Sequence, residues 1–138
     1  MDDLFASMYD EYFDDVYRYV YVKTGNKWDT EDIVSDTFRK AEEILANFNI
    51  DIAFITVNGL SLENGLTDFR IHEVGVIQTI LSRTKYKVVV ADSSKFETSS
   101  YINVCPLKEI DLIVTDCSIP SNIVEDYNKA NIRILSSH

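Results

Sequence analysis

The sequence predicts an α/β protein: an N-terminal antiparallel helical hairpin joined to a mainly parallel, partial Rossmann-like sheet flanked by helices. Three observations carry this reading. Residues 1–48 repeat apolar side chains at helical spacing. From Ile50 onward, short runs rich in Ile, Val and Leu alternate with helical patterns, the signature of strand–helix units. The run Lys87-Val88-Val89-Val90-Ala91 is almost continuously β-branched, as in a strand buried on both faces. It switches abruptly to Asp92-Ser93-Ser94-Lys95, and ligands of open α/β sheets gather just past such strand ends.

The totals bound the answer. At 138 residues there is room for one ordinary domain or two small ones, and 46% apolar residues suits a packed core. The formal charge of −10 disfavours direct DNA binding, because neutralising phosphates requires Lys and Arg. The acid is uneven: residues 1–48 hold 12 acids against 5 bases, and residues 49–138 hold 11 against 8. That asymmetry suggests two parts, 1–48 and 49–138, with different origins. Cys105 and Cys117 lack CxxC spacing, so reduced, buried thiols are expected, with no metal site and no cofactor. No signal peptide and no membrane span are expected, which points to the cytoplasm.

Residues 3–24 read as one amphipathic helix, with Phe5, Met8, Tyr12, Val16 and Val20 on one stripe. Gly25-Asn26 supplies a stop. The second helix is expected to begin at Asp29 as its cap, with Trp28 and Ile33 forming a hydrophobic staple. Val34, Phe38, Ala41 and Leu45 make its apolar stripe. The run from Tyr9 to Val22, followed by Trp28-Asp29-Thr30-Glu31-Asp32-Ile33-Val34-Ser35-Asp36-Thr37-Phe38-Arg39-Lys40-Ala41, resembles the start of region 2 of extracytoplasmic-function sigma factors. The resemblance implies that Asp32, Asp36, Phe38 and Arg39 contact core RNA polymerase. The bland alternative makes Phe38 core and the acids a solvated face. The basic, aromatic-bearing promoter-reading helix of that family has no counterpart after Phe48.

In the second part, Ile52–Val57, Lys87–Ala91, Leu112–Thr115 and Ile132–Leu135 read as strands, expected to be covered on both faces. Gly59, Asn64 and Gly65 mark a loop. Asp68 is expected to cap a helix over about Ile71–Lys85, with Val74, Ile77 and Leu81 inward, and Pro120 to open a helix through Tyr127. Four runs in order then carry a second resemblance: Ala53-Phe54-Ile55 with Asn58-Gly59, Gly65-Leu66-Thr67, Ala91-Asp92-Ser93-Ser94-Lys95-Phe96, and Ile110 to Asp116. From about Asp51 to Leu135 the chain resembles the C-terminal effector-sensing domain of DeoR-type transcription repressors. That family binds phosphorylated sugars. The resemblance implies Lys95 on a phosphate, and Asp92, Ser93 and Ser94 shaping the loop. Asn58, Gly59 and Gly65 would let the backbone approach the ligand, and Asp116 would accept from sugar hydroxyls. The family's Ser-Gly-Thr-Thr-type upstream loop has no match here, and a helix position often basic in the family is Ile77.

Three functions follow as expectations. The first is a transcription-regulation binding protein, with a phosphorylated sugar on the α/β part and RNA polymerase on the hairpin. The second is an isomerase-like enzyme of sugar phosphates, drafting Asp92, Asp116 and Lys95. The third is a truncated or chimeric chain with no role of its own. Lacking upstream strands, the sheet is also expected to present an open edge that the hairpin covers or through which the protein self-associates.

Overall fold

A computed structural model describes residues 17, 18 and 20–137. Most of the expected first helix lies outside that range; residues 20–24 are helical and run into Gly25, whose φ of +74° closes the turn. Helix α1 spans Lys27–Leu45. Its cap is Asn26, not Asp29: Asn26 is extended, accepts from the Asp29 amide at 2.8 Å, and donates its own amide to the Asp29 carboxylate at 2.7 Å. The earlier start rotates the expected staple outward, leaving Trp28 75% and Ile33 44% exposed. Val34 is buried on the inner face, with Phe38, Ala41 and Leu45 half-buried along it.

Strand β1 (Ile50–Ile55) pairs in parallel with β4 (Thr84–Val90), β4 with β6 (Leu112–Thr115), and β6 with β7 (Ile134–Ser136). The sheet order is therefore β1-β4-β6-β7. The expected loop at Gly59–Gly65 is instead a buried hairpin: β2 (Gly59–Ser61) pairs antiparallel with β3 (Gly65–Asp68). β3 pairs in turn with β5 (Ile102–Cys105), a strand that its polar Asn103 and short length conceal in the sequence. Helix α2 (Ile71–Ser82) is shorter than expected because Thr84 and Lys85 enter β4, and helix α3 spans Ser121–Lys129 behind Pro120.

The core unites Val74, Ile77 and Leu81 of α2 with Val89 and Ile113 of the sheet and Tyr127 of α3. Both helices therefore cover the same sheet face. The strand order explains this: β1, β4, β6 and β7 step in one direction, and right-handed crossovers in one direction all fall on one side. The expectation of cover on both faces is not met by the described residues. Ile52, Phe54, Tyr86 and Leu135 are exposed on the opposite face.

α1 packs on α2. The Phe38 and His72 rings stack with centroids 6.1 Å apart, and the Ser35 hydroxyl lies 3.5 Å from His72 Nδ1. Glu42 covers Gly75, whose missing Cβ leaves room for that carboxylate. Arg83 secures the far end by donating to the Phe48 carbonyl at 2.9 Å. Of the thiols, Cys117 is exposed rather than buried; burial, aided by Glu109, pushes the half-buried Cys105 thiol up to about 12.

A buried ion cluster anchors the start of α2. Asp68 is not the cap residue of that helix, a position taken by Arg70, but it organises the entry. It accepts from the amides of Asn58, Phe69 and Arg70 and is gripped at both oxygens by the Arg70 guanidinium, at 2.7 and 2.8 Å. Glu73 lies 2.8 Å from the same guanidinium. Burial pushes the Asp68 carboxyl up, but Arg70 and the backbone amides outweigh it and hold it below the usual range. A carboxylate held low contributes stability above its unfolded pKa of about 3.9, lost as pH falls through the lower folded value. Asp68→Asn is expected to destabilise the fold by about 3 kcal/mol at neutral pH, by breaking a buried pair. Urea denaturation checks this, and the deficit should shrink below about pH 4.

Candidate functional site

Because the sheet is parallel, the residues that follow β1, β4 and β6 gather at one end. After β4, Asp92 caps a single 3-10 turn, Ser93–Lys95. Its carboxylate accepts from the Ser94 amide at 2.9 Å and from the Ser94 hydroxyl. After β6, Asp116 reaches across to the neighbouring strand's turn. One oxygen accepts from the Ser93 amide at 2.8 Å, the other from the Ser118 amide at 2.8 Å. The Ser93 amide is the main cause of a carboxyl held below the usual range at Asp116, against a desolvation penalty, with Ser118 adding to it. Asp92, Ser93, Ser94, Lys95 and Asp116 thus form one constellation across the ends of adjacent strands.

The amides of this turn are committed to the protein. Ser93 donates to Asp116, Ser94 to Asp92, Lys95 to the Asp92 carbonyl at 3.0 Å and Phe96 to the Ser93 carbonyl at 3.4 Å. The charged side chains of the constellation are Lys95, which is half-buried, Asp92 and Asp116. One cation with two hydroxyl-accepting anions suits a polyol that bears a single anionic group.

Four residues outside the predicted site hold this turn in place. Phe96 is buried directly after Lys95 and meets Tyr127 edge-on, with centroids 5.4 Å apart. Tyr127 donates to Glu97 at 2.6 Å, and burial first, then that carboxylate, pushes the phenol upward. Glu97 adopts φ +57°, an uncommon conformation for a non-glycine residue. Thr98 closes the loop by donating to the Lys95 carbonyl at 2.8 Å. Tyr127 is the one of the four that periodicity could reveal, as an aromatic on the inner face of α3.

The glycines are placed differently. A Cβ on Gly59 would lie 2.7 Å from the Thr98 carbonyl oxygen, so this glycine admits the loop that follows Lys95. Gly65, with φ +72°, sits against Cys105 and Pro106 in the hairpin. The Asn58 amide is taken by Asp68 at 3.2 Å. Of the partner-contact candidates, Asp32 and Arg39 are exposed on α1, Asp36 is half-exposed, and Phe38 faces His72. Arg39 is clamped between Asp36 and Glu43. An open cavity of about 700 Å³ is lined by Asp32, Ile33, Asp36 and Arg39. Among the described residues, no group of three His, Cys, Asp or Glu side chains is placed to hold a metal. None of the described helices is long and apolar enough to cross a membrane.

Comparison with known proteins adds the lineage. The profile of the DeoR C terminal sensor domain matches residues 20–117. The chain belongs to the DeoR C-terminal sensor domain family. The match takes in α1, so it overlaps the stretch with the sigma-like sequence pattern, and it includes the Asp92–Lys95 turn and Asp116. A protein provisionally described as the sgc region transcriptional regulator of Escherichia coli (strain K12) is 34% identical over 98 residues, 71% of this chain and 38% of that protein. The deoxyribose operon repressor of the same organism is 30% identical over 94 residues, 68% of this chain and 37% of its own length. Its glycerol-3-phosphate regulon repressor is 22% identical over 92 residues, 67% and 36% respectively. The chain thus spans a little over a third of the curated relatives it matches. These relatives are named as regulators and repressors, not as enzymes.

Gly59→Ala is expected to cost about 1–3 kcal/mol, because the backbone of the Thr98 loop must move to admit a methyl group. Thermal unfolding measures the loss. The displaced loop should also raise the exchange rate of the Phe96 amide.

Proposed function

We propose that the chain is a binding module of transcription regulation that senses a phosphorylated sugar at the Asp92–Lys95 turn. The observation that carries this is the hydrogen bond from the Ser93 amide to Asp116 at 2.8 Å, which ties the turn bearing Asp92 and Lys95 to the neighbouring strand end. Lys95 is the natural counter-ion for the phosphate, and Asp92 and Asp116 accept from hydroxyls. Two relatives support the chemistry, since their names refer to glycerol-3-phosphate and deoxyribose. The module would act in the cytoplasm. An isomerase would need a base poised over a carbon acid and a separate stabiliser for the enediolate. Here the two carboxylates already serve as acceptors for backbone amides of the two loops.

Residues 1–48 and 49–138 are read as two parts of this regulator, with α1 as the element that joins them. The hairpin is the surface for a protein partner, and core RNA polymerase is the partner its sequence pattern favours. In that reading Asp32, Asp36 and Arg39 make the contact from the exposed side of α1, beside the open cavity. Phe38, stacked on His72, supports them from within.

Thermal melts with glycerol 3-phosphate and a panel of aldose and ketose phosphates test the sensor. A ligand at a hundred times its Kd should add about 2.7 kcal/mol of stability. Lys95→Ala should abolish the shift, and a full shift in that variant would remove Lys95 from the site. Capture of purified core RNA polymerase by the immobilised chain, weakened by Arg39→Ala, would support the partner reading. Equal capture by wild type and variant would refute the assignment of Arg39.

A further inference from the structure

A cavity of about 500 Å³ opens beside the last turn of α2, away from the Lys95 turn. Its walls follow from the path of the chain. α2 stops at Ser82 because Thr84 enters β4, and the alternation of that strand puts Lys87 on the same face as Val89, the side that α2 covers. β5 ends at Cys105, and Pro106 leads into a 3-10 turn, Leu107–Glu109, which buries Leu107 and leaves Lys108 and Glu109 exposed. Gln78 ties the two walls together by donating to the Val104 carbonyl at 2.9 Å. The Lys95 turn begins roughly 16 Å further along β4, at about 3.3 Å per residue, so one small ligand does not span both places. The charges around the cavity are unusual for this chain, which has 23 acids against 13 Lys and Arg. Lys27, Arg39, Lys40, Arg70 and Lys85 each pair with an acid. Lys87 and Lys108 both line the cavity, and among the described residues neither makes an ion pair. Burial is the main cause that pushes the Cys105 thiol up; Glu109 adds to it and Lys87 opposes it, so both charges lie close to the sulfur in the cavity wall.

We propose that this cavity is a second ligand site, separate from the Lys95 turn, and that it takes inorganic phosphate in its protonated form, held between Lys87 and Lys108 with its P–OH donated to Glu109. The two ammonium groups are donors only, and each brings a full counter-charge without an acid of its own to neutralise it. Glu109 sets the choice among oxyanions. An ionised carboxylate accepts hydrogen bonds and donates none, so it repels an anion that has no proton to give. Sulfate has none at neutral pH. A phosphate monoester, with a second pKa of about 6, has mostly lost its own. Inorganic phosphate keeps at least one P–OH there and satisfies the carboxylate. Selectivity thus comes from a repulsive group as much as from the attractive ones. Leu81 and Val104 back the cavity with buried apolar surface, which strengthens charge–charge contacts in front of it. The open side leaves the anion part of its hydration shell.

Alkylation of Cys105 by neutral iodoacetamide, in the full chain carrying Cys117→Ser, provides the test, because Cys105 lines the cavity. At constant ionic strength, inorganic phosphate at about ten times its Kd should slow the reaction about tenfold. Sulfate and glycerol 3-phosphate at the same concentration should leave the rate unchanged. Lys108→Ala, at an exposed position, should react equally fast with and without phosphate. Glu109→Gln should allow sulfate to protect as phosphate does, since an amide no longer repels it. Lys95→Ala should keep the full protection. Each rate is compared with the anion-free rate of the same variant, and circular dichroism identifies any variant that fails to fold. Calorimetric titration of the unsubstituted chain should give heat with phosphate and none with sulfate. A chain that phosphate does not protect, equal protection by sulfate, or full protection in Lys108→Ala overturns the proposal. Loss of protection in Lys95→Ala overturns it as well, since phosphate would then be acting from the Lys95 turn.

Discussion

The candidate site depends on a single carboxylate. Asp116 leaves the end of β6 and accepts the Ser93 amide from the turn after β4 and the Ser118 amide from its own loop. Without it, two adjacent strand ends would carry two independent loops. With it, the turn bearing Lys95 is referenced to the sheet through two strands rather than one. The other supports act on the far side of the same turn: Phe96 is buried in the core, Tyr127 holds Glu97, and Gly59 admits Thr98. Lys95 is thus the half-buried end of a segment held from several sides. Pre-organisation of this kind lowers the entropic cost of binding a ligand.

Topology sets the rest. Four parallel strands stepping in one direction put α2, α3 and the small β2-β3-β5 sheet to one side and concentrate the core there. The same stepping places the ends of β1, β4 and β6 in a row, which is why the Asp68–Arg70–Glu73 cluster and the Lys95 turn share one rim of the sheet. Among the described residues it also leaves Ile52, Phe54 and Leu135 exposed on the other face. The site and these exposed strand residues are two consequences of one strand order.

Legibility in the sequence followed the strength of local signals. The buried strands around Val89 and Ile113 and the inward stripe Val74, Ile77 and Leu81 were plain, because apolar periodicity reflects burial directly. The β2-β3 hairpin was not. Gly59 and Gly65 look like loop punctuation, whereas one is required by contact with Thr98 and the other by a positive φ against Cys105. Neither contact is local in sequence. The cap of α1 lies three residues before the expected one because Asn26 and Asp29 are both good caps, and only the backbone conformation distinguishes them. At the site, Asp92–Lys95 and Asp116 were legible as polar residues after apolar strands. Their mutual hydrogen bond spans 23 residues and could not be read. The family match likewise reaches back through α1, where the local pattern had suggested a different ancestry.

Residue-resolved amide hydrogen exchange tests the central constraint most directly. The account predicts slow exchange at Ser93 and Ser118 in the wild type, and fast exchange at both in Asp116→Asn, with β4 and β6 still protected. Ser93 exchanging at the rate of an open loop in the wild type would contradict it, since the turn that carries Lys95 would then not be tied to β6.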